Sequence, residues 1–136
     1  MRNIFITAYD LARLQDLVQA RSGRPGRDRD SVDRLDHLLV HAHVVHPTEI
    51  PCNVVTMNST VRLCDLDQGR EDAFTVAFPS EADIAMGAVS VLAPMGTAIL
   101  GGKVGDAIEW DVPGGLKRWR IQEILYQPEA AGHYHL

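Results

Sequence analysis

Asp30, Asp33, His37 and His41 follow one another at spacings of three, four and four, which on a helix lines up four potential metal ligands along one face. Carboxylate and imidazole groups in such a row are donors that a divalent cation accepts, and His43, His46 and Glu49 come soon after. The chain has no His-Glu-x-x-His and no pair of cysteines at ligand spacing, however, and a polar row is also what any amphipathic helix turns to water. His37 and His41 are the metal candidates that survive, with no resident cofactor expected. Nucleophilic chemistry finds less. Ser59, Ser80 and Ser90 lack a Gly-x-Ser-x-Gly setting, and Cys52 and Cys64 read as reduced structural thiols. Gly101-Gly102-Lys103 closes a helix where a phosphate site needs glycines that open one. The residue types alone describe an interaction protein and not an enzyme.

The elements that would hold these residues fall into two groups. Thr7, with Asp10 three residues on, is a helix start, and Leu11, Leu14, Leu17 and Val18 form one apolar stripe ending near Arg21. A second stripe, Val32, Leu35, Leu38, Leu39 and Ala42, predicts a helix from about Asp30 to His43. Between them lies Ser-Gly-Arg-Pro-Gly-Arg-Asp-Arg-Asp, which is loop chemistry, so the pair is a short antiparallel helical hairpin with a reach of roughly 20 Å. Pro47 and Pro51 then mark a boundary, dividing an arm, 1–46, from a second unit, 47–136.

Beyond the boundary the apolar period drops to two. Val61 and Leu63, then Phe74, Val76 and Phe78, then Ile108, Trp110 and Val112 alternate with polar or small neighbours, the habit of antiparallel strands with one buried face. In the last strand, Lys117 to Tyr126, Trp119, Ile121 and Leu125 share a face while Ile124 breaks the phase, which predicts a bulge near Glu123. Pro94 opens and Gly101-Gly102 closes a helix too short to stand alone, so it must lie against the sheet. The expected fold is α+β: a helical-hairpin arm plus an antiparallel sheet with one short helix.

The 136 residues carry a net charge of −5, unevenly spread: 1–46 sum to +1 and 47–136 to −6. An acidic sheet unit argues against binding nucleic acid by sequence and suits a basic protein surface. No run approaches a membrane span, and the start has too short an apolar run for a secretory signal. At the arm's tip Arg24, Arg27 and Arg29 mix with Asp28, Asp30 and Asp33; such charges either solvate a turn or touch a partner.

Val-Ser-Val-Leu-Ala-Pro-Met-Gly-Thr-Ala-Ile-Leu-Gly-Gly-Lys-Val-Gly-Asp, residues 89–106, followed by Pro-Gly-Gly and a strand ending at Tyr126, resembles the C-terminal domain of the Gre transcription elongation factors. Val-Val-Thr-Met-Asn-Ser (54–59) and Tyr-Gln-Pro-Glu-Ala-Ala-Gly (126–132) are similar to the short-armed branch of that family, the regulators of nucleoside diphosphate kinase. The resemblance implies an FKBP-like sheet unit and a bacterial, cytoplasmic protein that docks on RNA polymerase at its secondary channel. It implies candidate docking positions at Met57, Asn58 and Ser59 and at Pro94, Met95, Gly96 and Thr97. Gre factors stimulate transcript cleavage through paired tip acids that hold Mg²⁺; here only Asp30-x-x-Asp33 is comparable, on a shorter arm. The expectation is therefore a non-catalytic regulator that competes with Gre factors and affects expression of nucleoside diphosphate kinase. A cleavage factor, a metal-binding arm and a prolyl isomerase suggested by fold analogy alone are the alternatives.

Overall fold

The computed structural model describes residues 3–21 and 29–136. Strand β1, Phe5–Thr7, leads directly into α1, Ala8–Arg21, and the Thr7 hydroxyl accepts from the Asp10 amide at 3.0 Å, capping the helix as its sequence predicts. Helix α2, Arg29–Val40, returns antiparallel with Val32, Leu35 and Leu39 buried against Leu14 and Val18 of α1. It stops short of His43 because His43–Val45 form β2, which pairs in parallel with β1 and ties the two ends of the arm together. This ribbon has no period-two signature in the sequence. It is three residues long on each side, too short for alternation to show.

The main sheet holds β3 (Thr60–Asp65), β4 (Glu71–Ala77), β5 (Ala88–Ser90), β6 (Ala107–Val112) and β7 (Gly115–Tyr126), in the order β5-β4-β3-β7-β6. It is mixed where an antiparallel sheet was expected, since β5 lies parallel to β4. Two 3₁₀ turns, Pro79–Glu81 and Ile84–Met86, carry the chain back along the sheet before β5 begins, a crossover where the antiparallel pairs use tight turns. On β7 the register against β3 shifts twice, passing over Gln122 and Leu125. The first irregularity sits next to Glu123, where the broken phase placed it. That shift over Gln122 resets the side-chain phase, so that Ile124 packs against the core and Leu125 is turned out to solvent, not onto the face of Trp119 and Ile121.

Helix α3, Pro94–Ile99, is pressed onto the sheet by Ile99 and Leu100, both buried. Gly101, at φ +77°, ends it so close to β1 that a Cβ there would stand 2.2 Å from Ile4 Cγ2. One contiguous apolar cluster runs from Leu14 and Leu35 of the arm to Val61, Leu63, Ile108, Trp119 and Ile121 of the sheet. The arm's root and the sheet therefore share a core. Among the described residues no helix is long and apolar enough to cross a membrane.

Candidate docking surface

Residues 56–59 form a tight loop held from three sides. Within it, the Thr56 amide donates to Ser59 Oγ at 2.9 Å and the two hydroxyls are 2.8 Å apart. From the helical side, Asp10 Oδ2 accepts the Met57 amide at 3.1 Å. From the C-terminal side, the Thr56 hydroxyl donates to Glu129 Oε1 at 2.7 Å. The Asn58 amide and Ser59 carbonyl complete the loop by bonding Val76 of β4 at 2.7 and 3.0 Å. Asn58 adopts φ +66°, the left-handed conformation that asparagine tolerates better than most residues. Its side-chain amide reaches the Leu136 carbonyl at 2.6 Å, so the last residues of the chain lie against the loop.

The polar floor under this loop carries unusual electrostatics. Asp10 is 1% exposed and Glu129 9% exposed. Burial raises both carboxyls above their ordinary range, and each is pulled back in part by its hydrogen-bond donors: for Asp10 the Arg13 guanidinium at 2.6 Å and the Met57 amide, for Glu129 the Thr56 hydroxyl. The negative charge of Asp10 pushes Glu129 further up. Arg13 is itself held between two rings, its guanidinium carbon 4.0 Å from the Tyr9 centroid and 4.9 Å from that of Phe78.

The second candidate stretch lies across the end of β4. Val91 of the β5–α3 connection donates to Ala77, the residue after the loop's partner Val76. Strand spacing puts the two stretches on the order of 10 Å apart. Pro94 is exposed and Met95 half-buried. Thr97 is buried and turns its hydroxyl to the Val91 carbonyl at 2.6 Å. Gly96 is buried so tightly that a Cβ would meet the Ser90 carbonyl oxygen at 2.1 Å. Of the seven candidate docking positions, Asn58, Pro94 and Met95 present side-chain surface. Met57 and Ser59, fully buried, together with Gly96 and Thr97, shape that surface from beneath.

At the other end of the arm, Arg29, Asp30 and Asp33 occupy the first turns of α2 and are exposed; Arg24, Arg27 and Asp28 lie outside the described residues. The rings of His37 and His41 meet at a tilt of 44° with centroids 4.4 Å apart, and His41 Nδ1 is 2.9 Å from the His37 carbonyl. Among the described residues no three His, Cys, Asp or Glu side chains come together as a metal site would need. Asp10, Arg13 and Glu129 escaped the sequence reading as site residues. Asp10 counted only as a cap, and the signal for Glu129 was the Gln-Pro-Glu within the stretch that carried the resemblance.

Comparison with known proteins places this geometry. Residues 50–126 match the family model for the C-terminal domain of the transcription elongation factors GreA and GreB. A relative from Escherichia coli K12, "Regulator of nucleoside diphosphate kinase", is 38% identical over 136 residues, covering 98% of this chain and 96% of the relative. "Transcription elongation factor GreA" of Beijerinckia indica is 32% identical over 109 residues, 80% of this chain and 67% of its own. Among solved structures, "Prokaryotic transcription elongation factor GreA/GreB from Nitrosomonas europaea" superposes with a TM-score of 0.74 at 41% identity, over 93% of this chain and all of that one. The matched span takes in the 56–59 loop, α3 and all five strands of the main sheet, and the chain belongs to the GreA/GreB transcription elongation factor family.

Proposed function

We propose that this chain is a non-catalytic cytoplasmic regulator that binds RNA polymerase near the secondary channel, competes there with Gre factors, and alters expression of nucleoside diphosphate kinase. The observation that carries the reading is the length of the arm. Helices of 14 and 12 residues rise about 21 and 18 Å, and the full-length similarity to a regulator of nucleoside diphosphate kinase extends over that same short arm. A Gre-type sheet unit on a short arm can occupy a site without delivering tip acids to a distant reaction centre. In this reading Asn58, Pro94 and Met95 meet the polymerase, and the acidic balance of 47–136 complements a basic surface. The units 1–46 and 47–136 divide the work, the second gripping and the first entering the channel.

The test is a pull-down of the full chain on core RNA polymerase, challenged with a Gre factor. Retention that falls as the Gre factor is added supports the proposal; no retention, or retention indifferent to the competitor, removes it. A transcript-cleavage factor remains the competing reading because Asp30 and Asp33 are exposed on α2. It requires backtracked transcripts to shorten on addition of the protein, and the Asp30→Ala/Asp33→Ala double variant to abolish that shortening.

A further inference from the structure

Strand β6 is the outermost strand of the sheet on its side: β7 pairs with it along one edge, and no described strand pairs with the other. An open edge is a row of unpaired backbone donors and acceptors, a template for an added strand. Beside it lies a groove of about 450 Å³ between β6, α3 and α2, lined by the apolar Leu38, Pro94, Ala98 and Trp110 together with Glu109 and Asp111. Trp110 is half-buried and packs over Trp119 on its inner side, with ring centroids 6.3 Å apart. Glu109 and Asp111, its neighbours, are exposed. Along a strand successive side chains alternate faces, so the two carboxylates share one face and Trp110 takes the other, while all three residues border the groove at the strand's edge.

Asp111 stands across from Leu116 of β7, and among the described residues no ion pair engages it; Glu109 stands across from Arg118, whose guanidinium is bound to Asp67 at 2.7 Å and also feels the charge of Glu109. The outer face of β6 thus carries two exposed carboxylates against one guanidinium that is shared with Asp67, a net negative patch on a sheet unit whose sum is −6. A strand added at this edge would set its own alternate residues opposite these two kinds of site. Cross-strand complementarity then dictates basic residues facing Glu109 and Asp111, with an apolar residue between them facing Trp110 and the groove.

We propose that the outer edge of β6 and the groove beside it form a docking site for an extended protein segment of alternating basic–apolar–basic pattern, bound by strand addition. The site lies apart from the 56–59 loop, shares Pro94 with the second candidate stretch, and does not depend on the polymerase reading. Arg34, His37 and His41 line the α2 wall of the groove, and Arg34 is tied to the Leu92 carbonyl at 3.4 Å and to Ser31 Oγ at 3.3 Å.

The test is an NMR titration of the isotope-labelled full chain with the capped peptide Lys-Val-Arg-Val-Lys. The expected result is saturable shifts of the β6 backbone amides and of the Trp110 indole N–H, with slowed amide exchange along β6. A Glu109→Lys/Asp111→Lys variant, altered only at exposed positions, should bind about tenfold more weakly. A peptide of the same composition with its two valines adjacent should bind more weakly still. No saturable shift in the wild-type chain, equal shifts with the rearranged peptide, or shifts confined to β5 at the opposite edge would each overturn the proposal. Because only this chain and a peptide are present, the result stands whether or not polymerase is bound in the separate pull-down.

Discussion

The carboxyls of Asp10 and Glu129 sit beneath the candidate docking loop, and both are harder to ionise in the folded chain than in water because burial removes their hydration. The sign of the pH dependence follows. A carboxyl whose folded pKa is raised binds more protons folded than unfolded between its two pKa values, so stability falls as pH rises through that window. For Glu129 the contribution is complete below about 4.5, the ordinary value, and is lost as pH climbs through the raised folded value. Glu129→Gln keeps an acceptor for the Thr56 hydroxyl and carries no charge at any pH. We expect this variant to be more stable than the wild type at neutral pH, with the advantage vanishing at pH 4. Denaturant midpoints measured at both pH values read this directly, and an advantage that persists unchanged at pH 4 would show that ionisation is not its source. The neighbouring Asn58 draws its strain from the same network: its left-handed φ is fixed by bonds to Val76 and Leu136 and not by its own preference alone.

Among the elements, α3 shows what a sequence states and what it withholds. Its bounds were legible, because Pro94 and Gly101-Gly102 are punctuation with a mechanism. The same holds for α1, whose Thr7 cap and apolar stripe are local facts. The parallel β5 and the β1–β2 ribbon were not legible, since three-residue strands have no period to read and their pairing is decided by distant chain. Nor was the burial of Met57, Ser59 and Thr97, polar or flexible side chains whose inward direction depends on partners far along the sequence. Gly96 belongs with these. In a helix interior a glycine normally costs about 1 kcal/mol relative to alanine, so Gly96→Ala would ordinarily stabilise. Here the added methyl would meet the Ser90 carbonyl oxygen at 2.1 Å, and backbone cannot give way as a flexible side chain does. Overpacking of this kind costs about 1–3 kcal/mol. The denaturant midpoint of Gly96→Ala should fall and, on the proposed function, polymerase retention should fall with it as α3 and its Pro94 shift. A midpoint at or above that of the wild type would show that α3 can slide without penalty.

At the scale of the molecule, arm and sheet unit are joined by more than a linker. Leu14, Leu35 and Leu39 of the arm belong to the same apolar cluster as Leu63, Trp119 and Ile121 of the sheet, and Asp10 bridges α1 to the 56–59 loop. A shared core makes folding cooperative across the boundary expected at residues 47–51, because neither part can expose its side of the cluster without cost. Leu35 tests this well, being fully buried on α2 and distant in sequence from every strand of the main sheet. Leu35→Ala should destabilise by about 2–5 kcal/mol through lost burial and the cavity left behind. Two probes then separate cooperative from independent unfolding. Far-ultraviolet circular dichroism follows the helices of the arm, and fluorescence follows Trp110 and Trp119 in the sheet. If the core is shared, both midpoints fall together and coincide in the variant as in the wild type. If the helical signal moves to lower denaturant while the tryptophan signal stays put, the arm unfolds on its own.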